Sequence, residues 1–583
     1  MSEGGSSSLL NNVQRLESPV RGGSRQEFKA SFFERHGKEI FHLLAIILLS
    51  YLFLFYALGH YSLKEPDEGR YAEIPREMLE TGEYVVPQLN YVRYFEKPPL
   101  LYWAVACSYK AFGVSEWSFR FVNSLFAFFS ALLLYLLSRR SFGANAAFLA
   151  SIILISSFGF FCAARIVTTD MCFSFLLFSS LLCFYDFYRN KANASLYLFY
   201  GMAGFATLAK GPVAVILLGG AILIFLLTEK RLSFLKELKL FKGSVIYACV
   251  VMPWIIAISL KEPEFLYFFF VDQHILRFAT TQHNRSGPIY YFLPVILMGM
   301  FPWSFFIPRS VNALRHNRDI RLFIIWSAVV LLFFSLSGSK LPPYILPIFP
   351  ALSLVLGIFF EEYRTNRVRK AWEMIPYIAA FTIFSLAAIP YIYPPFISLL
   401  LPLSHDVRAI AQELTYFSLG ISAVSCAIVC VYVYICFRKA LLRYDIVLVT
   451  LLCFSFSFVA MLTGFGISTL DKLNTSKQLA LAVSQRKGGY DYLISYEIYE
   501  RTFQFYTKSR LILVNYIGEL RMGSSYEDAQ GSFITEQDFV RLLSSDNKVL
   551  FVTKANKIDR LRPMVSKEIG TIACQNKKCL YEN

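Results

Sequence analysis

Long apolar blocks recur along residues 39–466 and constrain this chain more than any other feature of its sequence. Blocks of about 18 or more apolar residues with few charges are typical of helices that cross a bilayer, because that length matches the hydrocarbon core. Apolar residues make up 56% of the chain, and 57 of its 583 residues are phenylalanine. We therefore predict a polytopic α-helical membrane protein with about thirteen transmembrane helices. The predicted spans are 39–58, 117–138, 144–162, 169–188, 195–209, 212–227, 243–260, 290–307, 321–337, 342–360, 372–394, 413–437 and 444–466.

The net charge of +16 follows from this topology. Lysine and arginine gather in alternate short loops, which the positive-inside rule places in the cytoplasm together with the basic N-terminal arm. No nucleic-acid partner is needed to explain the charge. The basic loops lie at 139–140, 230–242, 309–321, 364–370 and 438–443.

Segment 100–112, "LLYWAVACSYKAF", is apolar but short, and it contains Lys110. If this segment crossed the membrane, every later loop would change sides and the basic loops would face outward. Its length favours an interfacial or re-entrant helix. We therefore predict that it stays on the outer face, within a long first outer loop over 59–116. Earlier in that loop, apolar and charged residues occupy opposite faces of one helix, which predicts an amphipathic helix along the membrane surface. The apolar face contains Tyr71, Ile74, Met78 and Leu79, and the charged face contains Arg70, Glu73, Arg76, Glu77 and Glu80.

The remaining composition predicts three regions. Residues 1–38 form a flexible, basic cytoplasmic arm, followed by an apolar anchor without a small-residue cleavage site, which is typical of an uncleaved signal anchor. Residues 39–466 form the membrane domain. Residues 467–583 alternate strand-like and polar helical stretches and form a soluble α/β domain on the outer side. There, Cys574 and Cys579 form a disulfide in an oxidising compartment or remain two thiols.

Unusual polar residues recur in the segments that this topology places on the outer face. A single Asp at a helix start is usually a cap, and a single Lys at a membrane boundary usually extends toward the headgroups. Because acids and bases here concentrate on one side of the membrane, we predict that they line one external polar cavity. These residues are Asp67, Glu68, Glu96, Lys97, Arg165, Asp170, Lys210, Asp272, His274, Arg277, Lys340 and Tyr344.

Such a cavity suits the transfer of a sugar from a lipid carrier. Cations and a phenol can hold a phosphate by charge-assisted hydrogen bonds, and the candidates are Lys97, Lys210, Arg277, Lys340 and Tyr344. Carboxylates can orient hydroxyls or an amine or act as a base, and the candidates are Asp67, Glu68 and Asp170. The outer face has no nucleotide supply, so an activated sugar must arrive on a lipid. Preplaced cations would then stabilise the departing polyprenyl phosphate.

The first outer loop, "PDEGRYAEIPREMLETGEYVVPQLNYVRYFEKPPLLYW", closely resembles that of bacterial aminoarabinose transferases. The resemblance continues in "RIVTTDMCF", "TLAKGPVA", "DQHILRF" and "GSKLPPYILPIFP" and covers most of the membrane region. It implies the GT-C fold, which protein O-mannosyltransferases share. It also implies inverting transfer of 4-amino-4-deoxy-L-arabinose from undecaprenyl phosphate to lipid A. A cationic sugar on lipid A would reduce the attraction of cationic antimicrobial peptides.

The resemblance also implies roles for individual residues. Asp67 and Asp170 are the two key acids, whereas Lys97, Arg277 and Tyr344 contact phosphate. In "YFEKPPLLYW", Lys97 would bind the donor phosphate beside Glu96, and the prolines would fix the backbone before segment 100–112. Glu96 and His274 are positions that approach a divalent metal in this family. Inverting enzymes of this class also work without a metal, so no cofactor is required.

The resemblance further implies a bacterial inner-membrane protein with a periplasmic active site and C-terminal domain, and we expect a monomer among membrane lipids. Four alternatives remain open at this point. Two of them keep the enzyme class: a hexose or hexosamine as the donor sugar, and a protein hydroxyl or another glycan as the acceptor. The third is a lipid or sugar transporter or flippase. The fourth is a membrane anchor for the C-terminal domain. Transporters place ionisable residues near the bilayer midplane, whereas these lie at one face.

Overall fold

A computed structural model of the chain describes residues 25–276, 287–365, 474–486 and 489–583. Residues 49–583 form one compact unit, to which all contacts described below belong. Helices make up the first two ranges almost entirely. They are α1 (Arg25–Ser50), α2 (Asp67–Thr81), α3 (Leu100–Phe112), α4 (Glu116–Phe142), α5 (Ala144–Ser156), α6 (Phe158–Arg165), α7 (Thr169–Asn190), α8 (Asn193–Lys210), α9 (Val213–Thr228), α10 (Leu240–Lys261), α11 (Phe265–Tyr267), α12 (Phe292–Gly299), α13 (Ile307–Leu314), α14 (Arg318–Leu336) and α15 (Phe349–Thr365).

Six helices in the described ranges are long and apolar enough to cross a membrane, and two bent helix pairs bring the number to as many as eight. The pair α5 and α6 bends by 63° within predicted span 144–162. The pair around 290–307 bends by 112° at a break that contains Pro302, whose ring and missing N–H interrupt a helix. Each predicted span between 39 and 360 is helical. The predicted spans 372–394, 413–437 and 444–466 lie outside the described residues.

The first outer loop consists of α2, a small hairpin and α3. Helix α2 has Asp67 and Glu68 in its first turn, where the helix dipole stabilises acids. It ends at Thr81 and is capped by Gly82, whose φ of +73° is the left-handed conformation that glycine adopts readily. The hairpin pairs β1 (Gln88–Leu89) with β2 (Val92–Arg93). Helix α3 has the bounds predicted for the short apolar segment, with Pro99 at its N-cap.

The apolar and polar faces of α2 predict a helix along the membrane surface, but the structure buries both faces. Ile74 and Met78 are in the hydrophobic core, and Glu73 and Glu77 on the other face are fully buried as well. The buried charges are satisfied locally: Arg76 pairs with Glu73, and Glu77 accepts hydrogen bonds from two backbone N–H groups. The polar pattern of α2 therefore reflects a buried polar network rather than exposure to water.

The C-terminal region alternates helices and strands. They are α16 (Lys477–Ser484), β3 (Tyr492–Tyr496), α17 (Arg501–Thr507), β4 (Ile512–Val514), β5 (Phe533–Ile534), α18 (Glu536–Ser544), β6 (Val549–Lys554), α19 (Ile558–Leu561), β7 (Gly570–Gln575) and β8 (Lys578–Glu582). The strands form a six-stranded sheet in the order β5-β4-β3-β6-β8-β7, of which β5, β4, β3 and β6 are parallel. The central strands β3 and β6 are mostly apolar because both of their faces are buried.

Of the two states predicted for Cys574 and Cys579, the structure has the disulfide. The two residues face each other across the antiparallel pair β7 and β8, with their Cα atoms 4.1 Å apart. Together with the apolar helices, this sheet confirms the predicted fold class of a polytopic helical membrane protein with a C-terminal α/β domain.

The C-terminal domain packs directly on the first outer loop. Tyr71 and Ile74 of α2 share one hydrophobic core with Phe503 of α17. The side chain of Asn90 exchanges two hydrogen bonds of 2.8 Å with the backbone of Leu511. Because apolar and polar contacts both join these segments, the outer loop and residues 474–583 form a common structure outside the apolar helices.

We expect Gly69→Ala to loosen this packing. A Cβ on Gly69 would lie 2.7 Å from the backbone nitrogen of Thr502 in α17, closer than real Cβ contacts allow. The free energy of unfolding should fall by about 1–3 kcal/mol, as in other overpacked contacts. Thermal unfolding in detergent and proteolysis of the C-terminal domain measure this effect. Gly201→Ala in α8, where a Cβ meets nothing within 4 Å, is the matched control. Equal stability of both variants would contradict the close packing of α2 on α17.

Candidate active site

A polar cavity of about 510 Å³ lies where the first outer loop, the membrane helices and the C-terminal domain meet. It brings together residues that are far apart in the sequence, at the ends of α2, α7 and α8, before α3, and after β4. Its wall alternates acids and bases, so it suits a ligand with both anionic and polar groups. The lining includes Asp67, Arg70, Tyr71, Glu96, Lys97, Thr168, Thr169, Asp170, Lys210, Pro342, Pro343, Tyr344, Gly518 and Glu519.

Asp67 lines the cavity from the first turn of α2. Its side chain is 49% exposed, and its carboxylate lies 3.7 Å from Arg70, one helical turn later. Arg70 itself is only 11% exposed and also lines the cavity. The first turn of α2 therefore presents a carboxylate and a guanidinium to the same space.

The predicted substrate contact of Glu68 finds no support in its position. Glu68 is 1% exposed and is not part of the cavity lining among the described residues. Both of its carboxylate oxygens accept hydrogen bonds from fully buried Arg120 of α4, at 2.9 and 2.7 Å. A buried carboxylate requires such a partner. Glu68 directly follows Asp67 on α2, and neighbouring residues of a helix point in different directions, so Glu68 does not face the cavity with Asp67. We therefore leave Glu68 out of the candidate site.

Asp170 and Lys210 form an ion pair in the cavity wall. Asp170 lies in the first turn of α7, whose N-cap is Thr168, and Lys210 is the last residue of α8. The Lys210 ammonium also lies 4.3 Å from the ring centre of Tyr344. The cap role that a single Asp usually has thus belongs to Thr168, and Asp170 binds a cation instead.

Glu96 and Lys97 line the cavity from the loop before α3. The Glu96 carboxylate accepts a hydrogen bond of 3.2 Å from the Tyr94 hydroxyl. Burial, and then the negative charge of Glu96, raise the pKa of Tyr94 well above its ordinary value, so the phenol remains a neutral donor. The stretch "YFEKPPLLYW" therefore places its two charges at the site and its prolines just before the helix.

One predicted residue, Lys340, lies apart from this group, and two others fall outside the described residues. Lys340 is buried and donates a hydrogen bond of 2.7 Å to the carbonyl of Ser337, and among the described residues it does not line the cavity. Arg277 and the side chain of His274 lie outside the described residues. Within the described ranges, no group of three His, Cys, Asp or Glu side chains is placed to hold a metal ion. The metal contact of Glu96 and His274 therefore stays a prediction.

Sequence reasoning missed two charged residues of the cavity. Arg70 belongs to the first outer loop, where the amphipathic pattern of α2 predicts a solvent-facing charge. Glu519 lies in the C-terminal domain, in a short turn after β4, and no sequence motif distinguishes it from other surface acids. Only the packing of that domain on α2 reveals its place.

Glu519 is held by basic residues. Arg501 donates hydrogen bonds to its carboxylate through Nε at 2.8 Å and through a second nitrogen, and Tyr516 donates one of 3.2 Å. Burial alone would raise the pKa of Glu519, but the positive charges of Arg501 and Arg70 lower it below its ordinary value. Glu519 is therefore ionised at neutral pH.

This shift predicts a loss of stability in acid. Because the pKa of Glu519 is lower in the folded chain than in the unfolded chain, its ionisation stabilises the fold above the unfolded value of about 4.3. That contribution is lost as the pH falls through the folded pKa. Thermal unfolding in detergent between about pH 6 and about pH 3 should show a smaller acid-induced decrease for Glu519→Gln than for the wild type. Identical pH profiles would contradict the ion pairing of Glu519.

An apolar cavity of about 530 Å³ adjoins the polar one. The two cavities share Ile166, Thr168, Pro342 and Pro343 in their walls. The rest of the second cavity is apolar, with Phe158, Met298, Leu346 and Phe349 among its lining residues. A ligand that spans both cavities would therefore have a charged head and a hydrocarbon tail.

Two regions of the sequence match protein families. Residues 96–256 match the family described as dolichyl-phosphate-mannose-protein mannosyltransferase, and residues 479–572 match the aminoarabinose transferase C-terminal domain. The second match falls on the sheet domain that contributes Glu519 to the cavity.

Curated relatives of this chain are named as aminoarabinose transferases. The Yersinia enterocolitica undecaprenyl phosphate-alpha-4-amino-4-deoxy-L-arabinose arabinosyl transferase is 35% identical over 311 residues, which are 52% of this chain and 56% of that protein. The Proteus mirabilis protein of this name, numbered 2, is 32% identical over 352 residues, which are 58% of this chain and 62% of that protein. The match thus spans little more than half of the length of these relatives.

Solved structures extend the likeness to the whole fold. The crystal structure of ArnT from Cupriavidus metallidurans bound to undecaprenyl phosphate has a TM-score of 0.79 and 24% identity, and the match covers 93% of this chain and 97% of that one. The same protein in the apo state has a TM-score of 0.78 at 22% identity. The predicted GT-C fold is therefore confirmed: this chain has the fold of the Cupriavidus metallidurans ArnT and is similar in sequence to the bacterial aminoarabinose transferases.

Proposed function

We propose that this protein transfers 4-amino-4-deoxy-L-arabinose from undecaprenyl phosphate to lipid A. One observation carries the proposal: a charged cavity with acids and bases shares part of its wall with an apolar cavity. A polyprenyl-phosphate sugar has the matching chemistry, with a polar sugar, an anionic phosphate and a long hydrocarbon chain. The names of the curated relatives support this sugar and this carrier.

In the proposed complex, the phosphate lies near Lys97 and Tyr344, and the first isoprene units extend into the apolar cavity. Lys97 supplies a positive charge, and the Tyr344 hydroxyl supplies a hydrogen-bond donor beside it. Lys340 is too enclosed for this task, and its predicted phosphate contact is left out of the complex. Arg277, outside the described residues, keeps its predicted phosphate contact.

The reaction is an inverting displacement at the anomeric carbon. An oxygen of the acceptor forms the new bond while the bond from that carbon to the carrier phosphate breaks, and the electron pair leaves with undecaprenyl phosphate. The cations stabilise the negative charge that develops on the leaving phosphate. A lipid A phosphate is already anionic near neutral pH, so its attack requires no base.

Asp67 then has an electrostatic role in this reaction. Its exposed carboxylate stabilises positive charge on the sugar ring in the transition state or orients the acceptor. Asp170, neutralised by Lys210, orients sugar hydroxyls. If the acceptor were instead the hydroxyl of a protein or glycan, a base would be required, and Asp67 would be the candidate. The family match to protein mannosyltransferases keeps that acceptor as an outcome of the test.

The same proposal places the site at the periplasmic face of the bacterial inner membrane. The positive-inside rule supports this orientation, because it puts the basic loops in the cytoplasm, on the side of the membrane away from the proposed site. The Cys574–Cys579 disulfide supports an oxidising compartment for the C-terminal domain. We propose residues 1–38 as a cytoplasmic arm, 39–466 as the membrane domain and 467–583 as the periplasmic domain of a monomer.

Mass spectrometry of lipid A tests the proposed function. The wild type and Asp67→Ala are expressed in a host that lacks its own transferase but makes the donor. A pentosamine-sized addition to a lipid A phosphate is expected for the wild type and should be absent for the variant. A hexosamine-sized addition would retain the enzyme class and replace the sugar. Unmodified lipid A, with both proteins well expressed, would overturn the proposed acceptor and favour a protein or glycan.

A further inference from the structure

The turn that carries Glu519 is built to point into the polar cavity. Gly518 and Glu519 both line it, and they follow strand β4 in a short helical turn, Gly518–Leu520. Gly518 has a φ of +46°, and a Cβ there would lie 2.4 Å from the Tyr516 hydroxyl. The turn therefore requires glycine, and Tyr516 in turn contacts the Glu519 carboxylate.

Arg70 is the neighbour of Glu519 across the domain boundary. Its Nε atom lies 3.5 Å from Glu519 and makes no hydrogen bond, although it is buried. Its Nη1 atom lies 3.7 Å from Asp67. The guanidinium thus lies at ion-pair distance from two carboxylates and 5.9 Å from the centre of the Tyr71 ring, in the wall of the cavity. From there its terminal N–H groups can donate hydrogen bonds to an anion in the cavity.

Arg501 fixes the position of the Glu519 carboxylate within the C-terminal domain. Arg501 of α17 donates two hydrogen bonds to it and a third, of 2.8 Å, to the carbonyl of Tyr499. Arg501 is also 3.8 Å from Glu65, which precedes α2. The carboxylate of Glu519 therefore has a defined place, set by the C-terminal domain, from which it attracts Arg70.

We propose that Glu519 of the C-terminal domain is a positioning residue that holds the Arg70 guanidinium toward the phosphate of the lipid-linked donor. The inference rests on the proposed function, because it takes a polyprenyl phosphate as the ligand of the cavity. Glu519 acts through Arg70 and does not touch the substrate. The C-terminal domain is accordingly part of the active site and not an accessory module.

A double-mutant cycle in the full-length protein tests this coupling. The variants Glu519→Gln, Arg70→Gln and the double variant are purified in detergent, and the fraction of folded protein is determined by size exclusion. Binding of undecaprenyl phosphate and the KM and kcat of sugar transfer are then measured. Glu536→Gln is the matched control, because Glu536 of the same domain also contacts a tyrosine and an arginine but lies outside the cavity lining.

We expect Glu519→Gln and Arg70→Gln each to weaken binding of undecaprenyl phosphate and to raise the donor KM by about tenfold, with a smaller change in kcat. The double variant should be no worse than Arg70→Gln alone, because Glu519 has no target once Arg70 is absent. Additive losses, or a Glu519→Gln variant that matches Glu536→Gln, would overturn the proposal. If Glu519→Gln does not fold, Glu519→Asp retains the charge and is measured in the same cycle with the same criteria.

The wild type separates this inference from the function on which it rests. If the wild type binds undecaprenyl phosphate and transfers sugar, but the cycle is additive, only the positioning role of Glu519 is wrong. If the wild type binds no undecaprenyl phosphate, the proposed donor is wrong, and the positioning role toward its phosphate is wrong with it.

Discussion

Replacing Asp67 with asparagine is expected to reduce sugar transfer by about 10²–10³-fold, which is the usual cost of removing one preplaced electrostatic group from an active site. The amide retains the size of the side chain but lacks the negative charge that would stabilise a developing cation on the sugar. The loss should appear mainly in kcat, because that charge is needed most in the transition state. Transfer kinetics with purified protein and saturating donor measure it.

Asp538→Asn is the matched control for this experiment. Asp538 also lies in the first turn of a helix, is 47% exposed, and pairs with an arginine three residues later. It lies outside the cavity lining among the described residues, so its variant should transfer sugar at the wild-type rate. If Asp67→Asn retained the wild-type kcat, Asp67 would have no catalytic role.

Replacing Arg120 with methionine is expected to reduce the free energy of unfolding by about 3–5 kcal/mol, because it leaves a buried charge without a partner. Arg120 is fully buried and donates to both oxygens of Glu68. It also donates to the carbonyls of Leu58, Tyr61 and Ser62, at 2.7–3.0 Å. The residue therefore joins the start of α4 to the chain that leads into α2. The effect is measured by unfolding the protein in detergent and monitoring the decrease of the monodisperse species.

Two further variants interpret that result. Arg140→Met changes an arginine on the same helix that is 58% exposed and lies 3.9 Å from Asp186. Because Asp186 keeps hydrogen bonds from Asn190 and Ser195, this change should cost no more than about 1 kcal/mol. The double variant Glu68→Leu with Arg120→Met removes both buried charges and should recover part of the stability. If the double variant were no more stable than Arg120→Met alone, the unpaired Glu68 carboxylate would not be the cause of the loss.

The helical membrane region could be predicted because hydrophobicity is a local property. A long apolar segment must form a helix in a bilayer, whichever neighbours it later contacts. The helical state of each predicted span between 39 and 360 follows from this rule. The bends within 144–162 and 290–307 do not, because an apolar composition is compatible with a straight or a bent helix.

Individual site residues were harder to predict because adjacent residues point in different directions. Asp67 and Glu68 are neighbours in the sequence, yet one faces the cavity and the other is enclosed by Arg120. The resemblance of the first outer loop indicated Asp67, Glu96 and Lys97, and that of "RIVTTDMCF" indicated Asp170; all four residues line the cavity. Their roles in transfer remain predictions.

The sequence by itself determined the membrane class, the helical segments and the presence of a separate α/β region, because composition and periodicity depend on nearby residues. Its ordered motifs also indicated the resemblance to the bacterial aminoarabinose transferases. Only the tertiary structure decided that α2 is buried on both faces, that Glu68 and Lys340 are enclosed, and that Glu519 reaches the cavity. These features depend on contacts between segments as far apart as α2 and the turn after β4, and no local pattern records which distant charge a buried side chain will meet.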